Sequence, residues 1–151
     1  EPLGVHTAFT PEGVVLTKGE ATTGRLELNL SAQPDLAQTL VVTCAMLGRP
    51  FCFSGLESLR IKETDRLAAL QQELRKLGCE VVVEGDAVLR CDAPQPAAVA
   101  SAPIATYDDH RMALAFAPCA YRCEGLAIEH PEVVAKSYPS FWDDLKNFEQ
   151  Q

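Results

Sequence analysis

Leucine recurs at helical spacing along much of the chain. Leu36, Leu40 and Leu47 share one face of the stretch 34–47, with Pro34 in its first turn and Gly48 after its end, which predicts a helix. Leu67, Leu70, Leu74 and Leu77 do the same over 64–77, with Thr64 read as the N-cap and Gly78 as the stop. A third helix is predicted from Asp108 to about Tyr121, with Met112 and Phe116 inward and Pro118 kinking or shortening it. The stretch PSFWDDLKNF closes the chain with a fourth, where Tyr138, Phe141 and Trp142 are expected to pack onto the core. Between the helices the period changes. RLELNL alternates leucine with polar residues, as a strand with one buried face does, and EVVVEGDAVLRC reads as a hairpin about Gly85 and Asp86. GVVLTKG, FCFSG and GLAIE are shorter strand candidates, and CDAPQPAAVASAP is a Pro/Ala-rich connection with room for a short helix.

The pattern repeats. A shift of 74 residues places Asp35 on Asp109, Leu40 on Leu114 and Lys62 on Lys136, so each acid precedes its lysine by 27 positions. In both copies the order is acid, helix, strand, loop, lysine, helix, although few residues are identical. This reading gives two units, roughly 14–92 and 93–151, in one partial domain covering 1–151. Helices packed on sheets by duplication make an α+β or α/β architecture.

Composition narrows the classes. A chain of 151 residues with 47% apolar and 23% charged content has the balance of an ordinary globular domain. No apolar run is long enough to span a membrane. A net charge of -8 argues against nucleic acid or an anionic membrane as partner, yet leaves room for a local cationic cleft. The start EPLGVHTAFT has no initiator Met and no basic-then-apolar leader, which points to an excised piece or a processed product. Cys44, Cys52, Cys79, Cys91, Cys119 and Cys123 mostly fall in apolar helix or strand patterns without a C-x-x-C pair, so buried free thiols and a reducing cytoplasm are expected. Nothing resembles a metal-ligand set, and the sequence is silent on oligomeric state.

Two helix starts carry a cation that the helix dipole disfavours: Arg66 after Asp65, and Arg111 after Asp109 and His110. Lys62 and Lys136 stand at the strand-to-helix passage of each unit. Helix N-termini bind anions, arginine adds a planar fork for carboxylate or phosphate, and lysine adds a mobile charge that can deliver a proton. Asp35, Glu63 and Asp109, beside these cations, can position hydroxyls or move protons. Each pair alone reads as a surface ion pair. Recurrence in both copies makes the case for a site in which the arginines await an anionic ligand. His110 reads as a hydrogen-bonded orienting group. A purely structural domain would instead leave Arg66, Arg111 and Lys136 far apart.

At RIKETDRLAALQQELRKLGCEV and IATYDDHRMALAFA the sequence resembles the 3-phosphoshikimate 1-carboxyvinyltransferase (EPSP synthase) family. QPDLAQTL and the K-[ST]-[YF]-P ending in VVAKSYPSFWDDL extend the resemblance from about Leu28 to Leu145. It implies an α+β fold of repeated βαβαββ units, of which this chain has about two of one domain's three. It implies transfer of the enolpyruvyl group of phosphoenolpyruvate to the 5-hydroxyl of shikimate 3-phosphate in the cytoplasm, on the route to chorismate and the aromatic amino acids, without metal or organic cofactor. By that resemblance Asp35 contacts the shikimate hydroxyls and helps remove the proton, and Lys62 contacts the shikimate phosphate. Glu63 takes part in proton transfer at the enol carbon. Arg66, Arg111 and Lys136 hold phosphoenolpyruvate, Lys136 protonates the departing phosphate, and Asp109 and His110 line the pocket. Ser58 departs from the pattern: it stands where the family carries an Asn on the shikimate phosphate, so the contact runs through water or is lost. No GS-K or GNSGT-like stretch supplies the opposite wall, so the chain alone is expected to be inactive. A non-catalytic anion-binding or interaction module with the same fold is the alternative.

Overall fold

Two strands open the computed structural model, which describes residues 1–149: β1 (Val5–Thr10) and β2 (Gly13–Lys18) form an antiparallel hairpin paired from Val5 with Lys18 to Thr10 with Gly13. β2 is the stretch GVVLTKG. β1 is a strand that the residue pattern does not indicate, because its apolar residues Val5, Ala8 and Phe9 do not alternate. Every residue of both strands is exposed, so neither face imposes alternation.

The chain then runs β3 (Leu26–Asn29), a 3-10 turn Pro34–Leu36, α1 (Ala37–Met46), β4 (Phe51–Ser54), a 3-10 turn Glu57–Ile61, α2 (Arg66–Lys76), β5 (Val82–Glu84) and β6 (Val88–Cys91). The sheet order is β3-β4-β6-β5, with β3 parallel to β4 and the other pairs antiparallel. Alternation in RLELNL does what it predicts: Leu26 and Leu30 are buried while Glu27 and Asn29 are exposed. Phe51 and Phe53 are fully buried on the same side of β4, their rings stacked with centroids 5.0 Å apart. The β5–β6 hairpin turns through Gly85, whose φ of +57° suits glycine.

Helix packing agrees with the leucine pattern in one case and departs from it in the other. Leu67, Leu70, Leu74 and Leu77 are all fully buried. Gly78, at φ +79°, ends that helix, and the Cys79 N–H returns to the Leu74 carbonyl at 2.9 Å. In α1 the leucine stripe is not the core face. Leu36 and Leu47 are half-exposed, and Ala37, Val41, Val42, Cys44 and Ala45 face the core instead. Small and β-branched side chains allow the helix to lie close against its neighbours, and size alone did not reveal which face would be used.

Asp65, rather than Thr64, caps α2, accepting from the N–H groups of Leu67 and Ala68, both at 3.1 Å. Its extended backbone (φ -68°, ψ 92°) turns the carboxylate back over the first turn. Burial pushes the Asp65 carboxyl up, but the hydrogen bond from Arg60, the two helix N–H groups and the Arg60 charge outweigh it and hold its pKa below the ordinary value. Asp65→Ala is expected to lower stability by about 1 kcal/mol in urea unfolding at neutral pH, and Thr64→Ala to change it by less than about 0.5 kcal/mol. A carboxyl of lowered pKa stabilises the fold above its unfolded pKa and loses that contribution as pH falls through the folded one. The difference between wild type and Asp65→Ala should therefore shrink on acidification.

The second half is less regular. α3 (His110–Phe116) is followed by a 3-10 turn Ala117–Tyr121 carrying Pro118, which shortens the α-helix as its ring requires. GLAIE forms no full strand. It contributes only the parallel bridge of Ile128 to Ile104, and Val99 bridges Glu124. Pro103, in the facing segment between the two bridges, lacks the N–H that a ladder needs. The connection from Cys91 holds no helix. A 3-10 turn Pro131–Lys136 and α4 (Phe141–Glu149) complete the described chain. Tyr138, Phe141 and Trp142 stack edge-to-face on one another, with centroids 5.5 and 4.9 Å apart, rather than entering the main core, and the Trp142 indole N–H donates to the Pro131 carbonyl. The six cysteines are free thiols, five of them buried, and burial pushes Cys44 and Cys79 up to about 11 and Cys119 to about 12. Among the described residues no helix is long and apolar enough to cross a membrane.

Candidate functional site

Arg66 is the first residue of α2 and lies on the same helix face as the buried Leu70 and Leu74. That spacing drives its guanidinium inward, and it is only 2% exposed. Asp109 meets it there. As the N-cap of α3, wholly buried, Asp109 accepts from Arg66 Nε at 2.6 Å and Nη2 at 3.2 Å, and its Oδ1 also accepts from the Arg111 N–H at 2.9 Å. One carboxylate therefore closes the start of α3 and neutralises the cation at the start of α2, which accounts for a cation tolerated against the helix dipole.

Other side chains assemble on the open side of this pair. Arg66 Nη1 donates to Asp35 Oδ1 at 2.9 Å and Nη2 to Glu63 Oε2 at 2.9 Å. Asp35 also receives Arg111, through Nη2 to Oδ2 at 3.3 Å and Nη1 to its backbone carbonyl at 3.2 Å, and faces Lys62 Nζ at 3.7 Å. Lys136 Nζ reaches Glu63 Oε1 at 3.3 Å. Positions 35, 62, 66, 111 and 136 are thus neighbours in space. Exposure rises from Asp109 (0%) and Arg66 (2%) to Arg111 (37%) and Lys136 (57%), so a buried foot carries a solvated rim.

The electrostatics favour an anion at that rim. Lys62, Arg66, Arg111 and Lys136 face Asp35, Glu63 and Asp109, leaving one positive charge in excess within an acidic chain. Burial works against the Arg66 charge, but the Asp109 hydrogen bond and the charges of Asp109, Glu63 and Asp35 outweigh it and raise its pKa. The Glu63 pKa is held below its ordinary value by a backbone hydrogen bond first, opposed by burial, and then by Lys136 and Arg66. In this resting arrangement Glu63 is an acceptor of protons. A hollow of about 450 Å³ lined by Ala32, Gln33, Pro34, Asp35, Leu36 and Arg111 opens beside the cluster. A separate groove of about 270 Å³ between α1 and α3 is lined almost wholly by apolar groups, among them Val42, Met46 and Leu114, and lies apart from these charges.

One sequence expectation needs correction, and among the described residues two are found without partners in the cluster. Arg66 does not wait unpaired for an anion: three carboxylates already occupy its guanidinium, so a ligand reaches it only by displacing Asp35 or Glu63. The His110 Nδ1 is buried without a hydrogen-bond partner among the described residues. Ser58 is exposed on the turn Glu57–Ile61 and makes no hydrogen bond to the cluster among the described residues. Gln33 and the pair Glu73–Tyr107 were not singled out from sequence. Glu73 had a legible signal, since it falls seven residues after Arg66 on the same apolar face of α2. Among the described residues no group of three His, Cys, Asp or Glu side chains is arranged to hold a metal ion.

A mixed sheet covered by helices, with basic groups converging at helix starts around carboxylates, defines an α+β protein whose exposed rim suits a small anionic ligand. The EPSP synthase (3-phosphoshikimate 1-carboxyvinyltransferase) family model matches residues 3–145, and the chain belongs to that family. The 3-phosphoshikimate 1-carboxyvinyltransferase of Bacteroides fragilis is 48% identical over 144 residues, covering 95% of this chain and 35% of that protein. The enzyme of the same name from Cellvibrio japonicus is 39% identical over 140 residues, covering 87% and 32%. An EPSP synthase structure from Acinetobacter baumannii superposes with a TM-score of 0.73 at 22% identity, over 89% of this chain and 32% of that one, which shows the shared fold. The chain spans about a third of the length of the curated relatives it matches.

Proposed function

We propose that this chain supplies one wall of an enolpyruvyl transfer site, completed by the remainder of a full-length protein in the cytoplasm. The carrying observation is the convergence of Lys62, Arg66, Arg111 and Lys136 on Asp35, Glu63 and Asp109 beside an open hollow. Both substrates of the proposed reaction, phosphoenolpyruvate and shikimate 3-phosphate, are anions, and the rim has the excess charge to receive them. The 5-hydroxyl oxygen bonds to the enol carbon C2 while the methylene carbon C3 gains a proton. The C2–O bond to phosphate then breaks and C3 gives a proton back, releasing phosphate and the enolpyruvyl ether.

Asp35 is placed to bind hydroxyls and take the 5-hydroxyl proton, and Glu63, 3.3 Å from the Lys136 ammonium, to pass a proton from it to C3 in the addition and to take that proton back in the elimination. Arg111 and Lys136, both accessible, are suited to the carboxylate and phosphate of phosphoenolpyruvate, with Lys136 placed to protonate the leaving phosphate. Arg66 contributes once Asp35 or Glu63 turns toward substrate, and Lys62 serves shikimate 3-phosphate. The domain reading belongs to the same proposal: two related units, 14–92 and 93–151, of which positions 150 and 151 lie outside the described residues. Its support is that Leu30 N bonds across to β4 at the Ser54 carbonyl, and 74 positions on Ile104 bridges Ile128 in the same parallel sense.

The test is phosphate release from phosphoenolpyruvate and shikimate 3-phosphate. The full-length protein is expected to turn over, and this chain alone is not, with activity restored on mixing with the rest of the polypeptide. Phosphate binding by the full-length protein without turnover would favour an anion-binding module instead.

A further inference from the structure

Tyr107 and Asp108 are consecutive non-glycine residues in the left-handed region, both at φ 55°, immediately before the buried Asp109. L side chains rarely adopt that conformation, and it persists only where the surroundings enforce it, commonly at a functional site. Here the enforcement comes from α2. Tyr107 Oη lies 2.8 Å from Glu73 Oε1 and 2.9 Å from Gln72 Oε1. A hydroxyl has one proton to give, and the ionised carboxylate is the stronger acceptor. Burial first, then the hydrogen bond and charge of Glu73, push the Tyr107 hydroxyl above its ordinary pKa, so it remains a donor.

Glu73 itself is 1% exposed, a costly position for a carboxylate unless every lone pair is used. Its Oε2 accepts from the Ala105 N–H at 2.9 Å and from Lys76 Nζ at 2.6 Å, and Lys76 Nζ also donates to the Pro103 carbonyl at 2.8 Å. Glu73 thus holds the chain on both sides of Thr106. It stands two helical turns beyond Arg66, on the same face of α2. The helix grips the segment 103–109 at two points: Glu73 on Ala105 and Tyr107, and Arg66 on Asp109.

We propose that Tyr107 and Glu73 are positioning residues that fix Asp109, and through Asp109 the aim of Arg66 in the foot and of Arg111 in the rim. Neither makes a hydrogen bond to Asp35, Glu63, Arg111 or Lys136 among the described residues; they act through the strained turn. The two-point grip sets how Asp109 meets Arg66 Nε and Nη2, and so where the outer edge of the fork meets Asp35 and Glu63. The same carboxylate caps Arg111, so the phase of α3 is set with it. The catalytic consequence of this device rests on the proposed transfer reaction, while the positioning itself does not.

The test uses the full-length protein and its Tyr107→Phe variant, with Gln72→Ala as control. The first readout is the Arg66 Nε–H proton resonance, which the 2.6 Å bond to Asp109 moves downfield. In Tyr107→Phe it is expected to move upfield and exchange with solvent about tenfold faster, with the thermal midpoint nearly unchanged. The second is steady-state kinetics: KM for phosphoenolpyruvate is expected to rise about tenfold while KM for shikimate 3-phosphate stays near its wild-type value. Gln72→Ala is expected within about threefold of wild type in both readouts. An unmoved Arg66 resonance in folded Tyr107→Phe overturns the positioning role whatever the kinetics show. A moved resonance with unchanged KM overturns its link to catalysis. A moved resonance in a protein without turnover leaves the positioning intact and defeats the proposed reaction. Equal effects of Gln72→Ala and Tyr107→Phe would transfer the anchor from Glu73 to Gln72.

Discussion

Asp109→Ala is expected to destabilise the protein by about 3–5 kcal/mol, lowering the thermal midpoint by roughly 10 °C. The change leaves the Arg66 guanidinium, 2% exposed, without its wholly buried partner, and removes the cap of α3. Asp35 and Glu63 offset little of the loss, since both are partly solvated and bind the outer edge of the fork. Urea unfolding should show the loss as a lower midpoint with an unchanged slope. The double variant Arg66→Met with Asp109→Leu is expected to be more stable than Asp109→Ala, because no buried charge is left uncompensated and the two rim carboxylates can return to water. A loss under about 1 kcal/mol in the single variant would show that the pair does not hold the two helix starts together.

Lys136→Ala has the opposite profile. Its ammonium is 57% exposed, and its ion pair with Glu63 at 3.3 Å is of the solvated kind that contributes under about 1 kcal/mol. In the full-length protein the variant is expected to lose about a hundredfold or more in turnover while its unfolding midpoint stays near that of wild type. Unchanged turnover would remove Lys136 from the proposed proton delivery to phosphate. Together the two variants separate the halves of one constellation: the foot, Arg66 with Asp109, expected to hold the fold, and the rim, Arg111 with Lys136, proposed to face the ligand.

Much of this was legible in residue order. Leucine spacing located α2, alternation in RLELNL gave β3, and Gly85 with Asp86 marked the β5–β6 turn, because each depends on side chains within one short segment. The family strings KETDR and DDHRM also picked out the residues that the structure brings together at the ends of α2 and α3. The core face of α1 escaped, since Leu36 and Leu47 at its two ends are half-exposed while Ala37, Val41, Cys44 and Ala45 face the core. The hairpin strand β1 escaped for want of alternation, and GLAIE misled because its prospective partner is interrupted by Pro103.

Local chemistry, acting over one or two turns of chain, settled which residue types stand at each helix start and which elements follow one another. It could not say which cations would be free. Arg66 and Arg111 occur in similar strings, yet one is sealed among carboxylates and the other stands at the rim. That difference arises from groups 31, 43 and 76 positions apart along the chain, brought within hydrogen-bonding distance where the starts of α2 and α3 converge with the turn Pro34–Leu36. Burial and ion pairing depend on such long-range proximity, so tertiary structure alone decided which charge supports the fold and which remains available to a ligand.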